Sequence, residues 1–382
     1  MINSDRMRDH FLTLVQIDSP SRKERAIAIA LKEELISLGA EVRFDEADHA
    51  VGGTIGNLIA RIPGTQRAAA PFLLCAHMDT VGPGEGIKPR VEGRIIQSDG
   101  STILGADDKS GIAIICEVLR TLQAEKVPHP AIEIVFTICE EIGLLGVKHL
   151  DVSRLQARTG LVLDSSDPGR LITRAPAANR LQFTLQGLEA HAGVCPEKGI
   201  NAIRIASEAI AGMRLGRLDE ETTANIGTIE GGIATNIIPS AAVVRGEARS
   251  HDDAKLETQT GHMIRCFEEA ASRHQLTLDG TIHRGHVICQ VQRDYDRLFV
   301  PEEARIVRLV REAAQTLGRE ITLWRTGGAS DANILFTKGV EVANLGTGQR
   351  EVHTVREHLL LDDMVRSAEL VLETVKLHAT TA

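Results

Sequence analysis

At 382 residues the chain is long enough for one large domain or two ordinary ones. Hydrophobic residues make up 43% and charged residues 25%, the balance of a globular protein rather than a disordered or membrane-spanning one. The formal net charge of -9 argues against a nucleic-acid partner, whose binding needs a basic patch or stripe.

The first sixteen residues are polar and mixed, and no apolar run is long enough to span a bilayer, so no membrane partner is expected. Six cysteines are scattered without a CxxC pair, which reads as reduced thiols and a cytoplasmic location. Residues 21–39 carry an apolar helical period, with Ser21 as cap and Gly39 as stop. Short apolar runs then end in polar clusters. Residues 72–76 lead into His77 and Asp79, 132–138 into Glu140 and Glu141, and 161–163 into Asp164. A Gly/Asp loop at 105–108 opens an apolar helix over 112–122. Strands alternating with helices predict an α/β layer whose mixed, largely parallel sheet is flanked by helices, with polar residues just past the strand ends.

From residue 181 the pattern changes. Strands are expected at 181–188, 225–229, 241–249 and 276–282, with helices at 200–213 and 254–274. That order, βαββαβ, is ferredoxin-like, and alternating strands suggest a sheet with one open face. The first pattern resumes with a helix at 302–317, a strand at 321–324, a Gly-rich turn and another helix. The expected division is a catalytic domain of residues 1–176 and 292–382, with an α+β lid of residues 177–291 inserted.

The polar clusters carry the chemistry. His77 and Asp79, two apart at a strand end, suit a metal-binding imidazole and a supporting carboxylate. Asp107, beside Asp108 at a helix start, could bridge two cations. Glu140 and Glu141 follow a strand too apolar for the surface and suggest a general base beside a metal ligand. Asp164 closes a very apolar strand. His353 is the candidate second imidazole, following an apolar strand at 340–345 and a Gly turn, whereas His358 reads as a surface residue. Any one pair is common by chance. Four clusters at the ends of separate strands or loops, converging on one sheet edge, are not. Oxygen ligands with a few imidazoles suit Zn²⁺, Mn²⁺ or Co²⁺.

These residues lie in AHMDTV (76–81), GADDKSG (105–111), CEEIGLLG (139–146), LDSSD (163–167) and VHT (352–354). In that order they resemble the M20 family of dinuclear metallopeptidases, over essentially the whole chain. The double Asp and the aspartate at 164 look most like its peptidase T branch. The resemblance implies a zinc-peptidase-like fold with two zinc ions bridged by Asp107. His77 and Asp164 would complete one metal site, Glu141 and His353 the other. Glu140 would be the general base, with Asp79 supporting His77 and a cis peptide after Asp107. It further implies a homodimer formed through the lid, small peptides as substrates, and substrate contacts from His191, Asn236, Arg249 and Gly328. His191 would cross the subunit interface to the oxyanion. The plainer alternatives are a turn cap for Asn236 and a surface ion pair for Arg249.

Three other readings compete. GGASDA (327–332) is a near miss to a GxSxG nucleophile elbow, which would make Ser330 the nucleophile of a serine hydrolase but leave Asp107, Glu140 and Glu141 unexplained. A carboxypeptidase or N-acyl-amino-acid amidohydrolase would use the same two-metal site. A non-catalytic peptide- or metal-binding protein would have lost the base or a ligand, and every such position here is filled.

Overall fold

Unbroken apolar runs form the middle of the main sheet. In the computed structural model, which describes residues 1–380, Phe72–His77 and Ile132–Thr137 are strands buried along their whole length. A strand buried on both faces is what a parallel α/β sheet requires. The chain divides into two compact units, residues 1–174 with 298–380, and residues 175–297.

The first unit holds a nine-stranded sheet among the described residues. Its order is Glu41–Phe44, Leu58–Ile62, Ile132–Thr137, Phe72–His77, Thr159–Ser165, Glu341–Gly346, Arg170–Ala175 and Leu298–Phe299, with Thr322–Arg325 also paired to Arg170–Ala175. Phe72–His77 runs parallel to both its neighbours, and Glu341–Gly346 is parallel to Thr159–Ser165. The outer pairs formed by Leu58–Ile62 are antiparallel. Helix Ala106–Ala124 packs on the central strands and against helix Leu361–Thr380, which also meets helix Arg305–Thr316. Its Ile112, Ile114, Ile115 and Val118 are fully buried. Each such side chain contributes about 1.5–3 kcal/mol through burial.

Two expectations for this unit change. The first concerns Ser21. The helix is Arg25–Ser37 and starts after Glu24 without a side-chain cap. The Ser21 hydroxyl instead donates to Asp79 Oδ2 at 2.6 Å. Gly39 does stop the helix region, at φ +81, a left-handed conformation that glycine adopts without a Cβ clash. The second concerns Ser330. It caps helix Asp331–Thr337 in a capping box with Asn333, and its φ of -143 is ordinary extended backbone rather than a strained elbow. Its oxygen also accepts from Asn344 Nδ2 at 3.1 Å.

The second unit is an antiparallel sheet ordered Gly216–Arg217, Thr222–Gly231, Ala241–Ser250, Ala177–Gln186 and His286–Tyr295. Helices Ala202–Ala211 and Asp253–Arg273 pack on it, with Phe183 stacked on Phe267 at 3.9 Å between ring centroids. The connections are βαββαβ, but the fourth strand is not where the apolar pattern placed it. Residues 276–282 are broken by a turn at Asp279 and Gly280, both at positive φ, into the hairpin Gln275–Leu278 and Thr281–Arg284. Two positive φ values in a two-residue loop are the signature of a tight hairpin turn. The strand that completes the sheet is His286–Tyr295, whose Tyr295 pairs with Ala178. It carries the unit past residue 291, so the division falls after residue 297.

Candidate metal and catalytic site

Parallel strands deliver several polar residues to one sheet edge. His77 is the last residue of its strand, Asp164 the penultimate residue of the adjacent one, and Glu140 and Glu141 follow shortly after Thr137 on the other neighbour. Asp107 comes from the start of helix Ala106–Ala124, where it and Asp108 leave helical geometry and the peptide between them is cis. Gly111 lets this helix approach the sheet. A Cβ there would lie 2.3 Å from the Leu163 carbonyl oxygen.

Asp107 is the centre of the arrangement. Its Oδ1 lies 3.1 Å from His77 Nε2, and its Oδ2 lies 3.2 Å from His353 Nε2. His353 Nε2 is also 3.0 Å from Glu141 Oε2, and His77 Nε2 is 4.0 Å from Asp164 Oδ1. Two groups of donor atoms result, His77–Asp107–Asp164 and Asp107–Glu141–His353, each within 4.8 Å of one another. They share one carboxylate. His77 is buried while His353 is half exposed, on a backbone with φ of +63.

The tautomer of His77 follows from its surroundings. Nδ1 is 2.9 Å from the backbone carbonyl of Asp79, which can only accept, so Nδ1 carries a proton and Nε2 is the ring nitrogen that faces Asp107. The Asp79 carboxylate stands farther off, with Oδ1 at 3.6 Å. It accepts instead from the Glu140 N–H at 2.9 Å and the Glu141 N–H at 3.2 Å.

Charge is crowded here. Burial, reinforced by neighbouring acids, pushes Glu140, Asp164 and Asp108 well above the usual carboxylate range. Burial also opposes ionisation of Asp107, yet hydrogen bonds from His353 and His77 hold its carboxyl well below that range. Burial disfavours a charged His77, but the Asp107 and Asp79 carboxylates outweigh it and raise the imidazole well above its ordinary value. Hydrogen bonds with Asp107 and Glu141 raise His353 to about 10. Two imidazoles do not balance this many carboxylates. Glu141 Oε1 is buried without a hydrogen-bond partner.

The sequence reading missed several residues around these loops. Glu357 is buried and accepts the N–H groups of Leu104 and Gly105 at 2.8 Å each and of Asp107 at 2.9 Å. Asn344 accepts from the Asp164 N–H at 2.9 Å and donates to its carbonyl at 2.7 Å. Glu24 accepts from the Cys139 N–H at 3.1 Å, and buried Asp331 accepts from Thr137 Oγ1 at 2.5 Å. These partners are far apart in sequence, so no local spacing reveals them.

Gly328 lies in an exposed turn, its N–H directed to Thr326 Oγ1 at 3.3 Å, with open space around its α-carbon. His191, Asn236 and Arg249 belong to the second unit. His191 Nδ1 receives the N–H groups of Gly193 and Val194 at 3.1 and 3.2 Å, which places its proton on Nε2 as a free donor. The Asn236 carbonyl accepts from Ala192 N–H at 2.9 Å, and its side chain is exposed. Arg249 pairs bidentately with Glu247, Nε to Oε1 at 2.9 Å and Nη2 to Oε2 at 3.0 Å.

A further grouping of donors, His10–Glu34–Cys116, occurs in the first unit. There Arg120 already pairs with Glu34 at 2.8 Å, which disfavours a cation.

The chain is similar to known proteins over its whole length. The model of Peptidase family M20/M25/M40 matches residues 73–377. The chain is 40% identical to the uncharacterised protein YqjE of Bacillus subtilis, covering 98% of this chain and 99% of that one. The crystal structure of aminopeptidase PepT from Bacillus cereus is similar throughout, with a TM-score of 0.87 and 39% identity, covering 100% of both chains. A tripeptidase structure from Staphylococcus aureus is likewise similar, with a TM-score of 0.91 and 38% identity over 100% of both chains. The chain belongs to peptidase family M20/M25/M40, as a metallopeptidase of its peptidase T-like branch.

Proposed function

We propose that the chain is an aminopeptidase for tripeptides or similar small peptides, and that Asp107 joins two divalent-cation sites. The observation that carries this reading is the Asp107 carboxylate, which offers one oxygen to each of the two donor groups. The surplus of buried carboxylates and the unpartnered Glu141 Oε1 fit cations at both. His77, Asp107 and Asp164 would hold one ion, and Asp107, Glu141 and His353 the other. Zinc suits nitrogen and carboxylate donors, and manganese or cobalt can take the same set. When bound, such a pair polarises the scissile carbonyl and lowers the pKa of water.

The chain's own residues supply the rest. Glu140 takes a proton from the water that attacks the carbonyl carbon and delivers it to the amine as the C–N bond breaks. Burial raises its affinity for that proton. His191 is the oxyanion donor through Nε2–H, and Arg249 and Asn236 hold the substrate's polar groups. Gly328 lines the pocket.

Distances within the second unit support a homodimer. Arg249 pairs with Ala178 at the end of the sheet where the chain enters and leaves the unit. His191 pairs with Ile237, beyond the opposite end of strand Ala241–Ser250. At about 3.3 Å per residue that strand separates them by roughly 26 Å, whereas an extended tripeptide spans about 10 Å. That separation favours a pair of copies, one supplying Arg249 and the other His191 to one substrate. Val194, Ile229 and Ile233 are exposed apolar residues of the same unit, suited to a contact between copies. The cysteines are all free thiols, three of them buried, which supports a reducing, cytoplasmic setting.

The test is a panel of an unblocked tripeptide, a dipeptide, an N-terminally blocked peptide and an N-acetyl amino acid, with metal-loaded and chelated enzyme. Chelator-sensitive release of the first residue of the tripeptide is expected. Preference for the blocked substrates would move the activity to carboxypeptidase or amidohydrolase chemistry. Chelator-insensitive turnover would sink the two-metal reading.

A further inference from the structure

The loop bearing Glu140 has an unusual support. Cys139 sits at φ +53, a conformation that a side chain with a Cβ rarely adopts. Three successive N–H groups then each end on a carboxylate oxygen. The N–H of Cys139 goes to Glu24 Oε1 at 3.1 Å, that of Glu140 to Asp79 Oδ1 at 2.9 Å, and that of Glu141 to Asp79 Oδ2 at 3.2 Å. Glu24 and Asp79 are both fully buried.

Both carboxylates are in turn fixed by one short segment, residues 19–24. The Ser21 hydroxyl donates to Asp79 Oδ2 at 2.6 Å, and the Arg22 N–H donates to Glu24 Oε1 at 2.8 Å. The Cys139 thiol adds a contact to the same Glu24 oxygen at 3.3 Å. The segment is fastened to the loop after His77 by the Thr80 N–H on the Ser19 carbonyl at 3.0 Å and by the bridge between Pro20 and Thr80. Nothing in this set is a ligand or an acid–base group by itself. Its geometry determines where the backbone of Glu140 lies.

We infer that Ser21 and Glu24 are positioning residues for Glu140, acting through Asp79 and through the Cys139 N–H. The inference rests on the reading of Glu140 as the general base. The physical reason is that a base must sit within hydrogen-bond reach of the proton it takes, and a small displacement of its backbone is costly in rate. Charge-assisted hydrogen bonds to buried carboxylates are stiff enough to hold a loop in a left-handed conformation. Without the Ser21 hydroxyl, Asp79 Oδ2 keeps only the longer bond from Glu141, and the carboxylate is held less firmly.

The experiment uses the full-length, metal-loaded protein and a substrate that the wild type hydrolyses. Ser21→Ala, Ser21→Thr, Glu24→Ala, Glu24→Gln and Glu140→Gln are compared for kcat, KM, metal content and Tm. Ser21→Ala is expected to lower kcat about 10–100-fold, the usual effect of losing an outer partner, at unchanged KM and metal content. Ser21→Thr, which keeps the hydroxyl, restores kcat to within about threefold on the same reasoning. Glu24→Gln, which keeps an acceptor for both N–H groups, retains more kcat than Glu24→Ala. Wild-type kcat in Ser21→Ala beside an inactive Glu140→Gln overturns the positioning role alone. A kcat loss that merely follows lost metal or lost fold, without rescue by Ser21→Thr, also overturns it. An active Glu140→Gln overturns the reading of the base itself.

Discussion

Glu357 accepts the backbone N–H of Asp107 at 2.9 Å across 250 residues of chain. Its other oxygen takes Leu104 and Gly105, so both oxygens are in use. Burial pushes this carboxyl up to about 7, against the pull of those donors. Glu357→Gln keeps the shape but turns an NH₂ group toward an N–H. We expect a loss of about 1–3 kcal/mol of stability, the cost of an unsatisfied buried donor. Metal affinity should weaken about 10–100-fold as Asp107 loosens. Urea unfolding and equilibrium dialysis measure the two effects.

His77 and Glu140 should separate metal binding from proton transfer. His77→Ala removes the only imidazole of the donor group it shares with Asp107 and Asp164 and is expected to lose metal and activity together. Glu140→Gln should retain both metals while turnover falls about 10²–10⁴-fold, the range for a lost general base. Metal analysis of the purified variants, read beside kcat, decides this. A Glu140→Gln protein that is metal-free would make that residue a ligand instead.

The proposed sharing of sites between two copies predicts complementation. His191→Ala and Glu140→Gln homodimers should each be nearly inactive. Mixed dimers would contain one site with an intact Glu140 and an intact His191. Random mixing should therefore recover about a quarter of the wild-type sites, given a two-fold symmetric dimer. No recovery after confirmed subunit exchange would place His191 outside the partner's site.

Ser330 should prove structural. Ser330→Ala removes a helix cap and a partner of Asn344 and should cost about 1 kcal/mol in stability. Turnover by the folded variant should stay near wild type. A kcat collapse at unchanged Tm would revive the serine nucleophile.

Acid stability should depend on Glu34. Burial pushes its carboxyl up, but His10 and Arg120, each at 2.8 Å, outweigh this and hold it below the ordinary value. A depressed folded pKa contributes stability that is present above the unfolded value of about 4.3 and lost as pH falls through the folded one. Glu34→Gln should thus be less stable than wild type at neutral pH, with the gap closing in acid. Urea unfolding across a pH series tests the sign. A gap that widens in acid would contradict it.

The sequence by itself determined the elements that place the chemistry. Short unbroken apolar runs that end in polar clusters form the central strands, so the polar residues just beyond them, His77, Glu140, Glu141 and Asp164, fall at one sheet edge. An alternating pattern, by contrast, identified most of the second unit's sheet. It misplaced the last strand because the hydrophobic pattern of residues 276–282 did not weigh the turn at Asp279 and Gly280.

Only the tertiary structure decided how the site is held. Asp79 touches His77 through its backbone carbonyl and gives its carboxylate to the Glu140 loop, a distinction that spacing does not contain. Ser21, Glu24 and Glu357 carry no motif of their own. Their partners lie tens to hundreds of residues away, and a hydrogen bond between a buried carboxylate and a distant N–H leaves no period in the sequence. Apolar burial is a repeating, one-dimensional signal. The polar contacts that aim a catalytic group are single pairings that folding alone brings together.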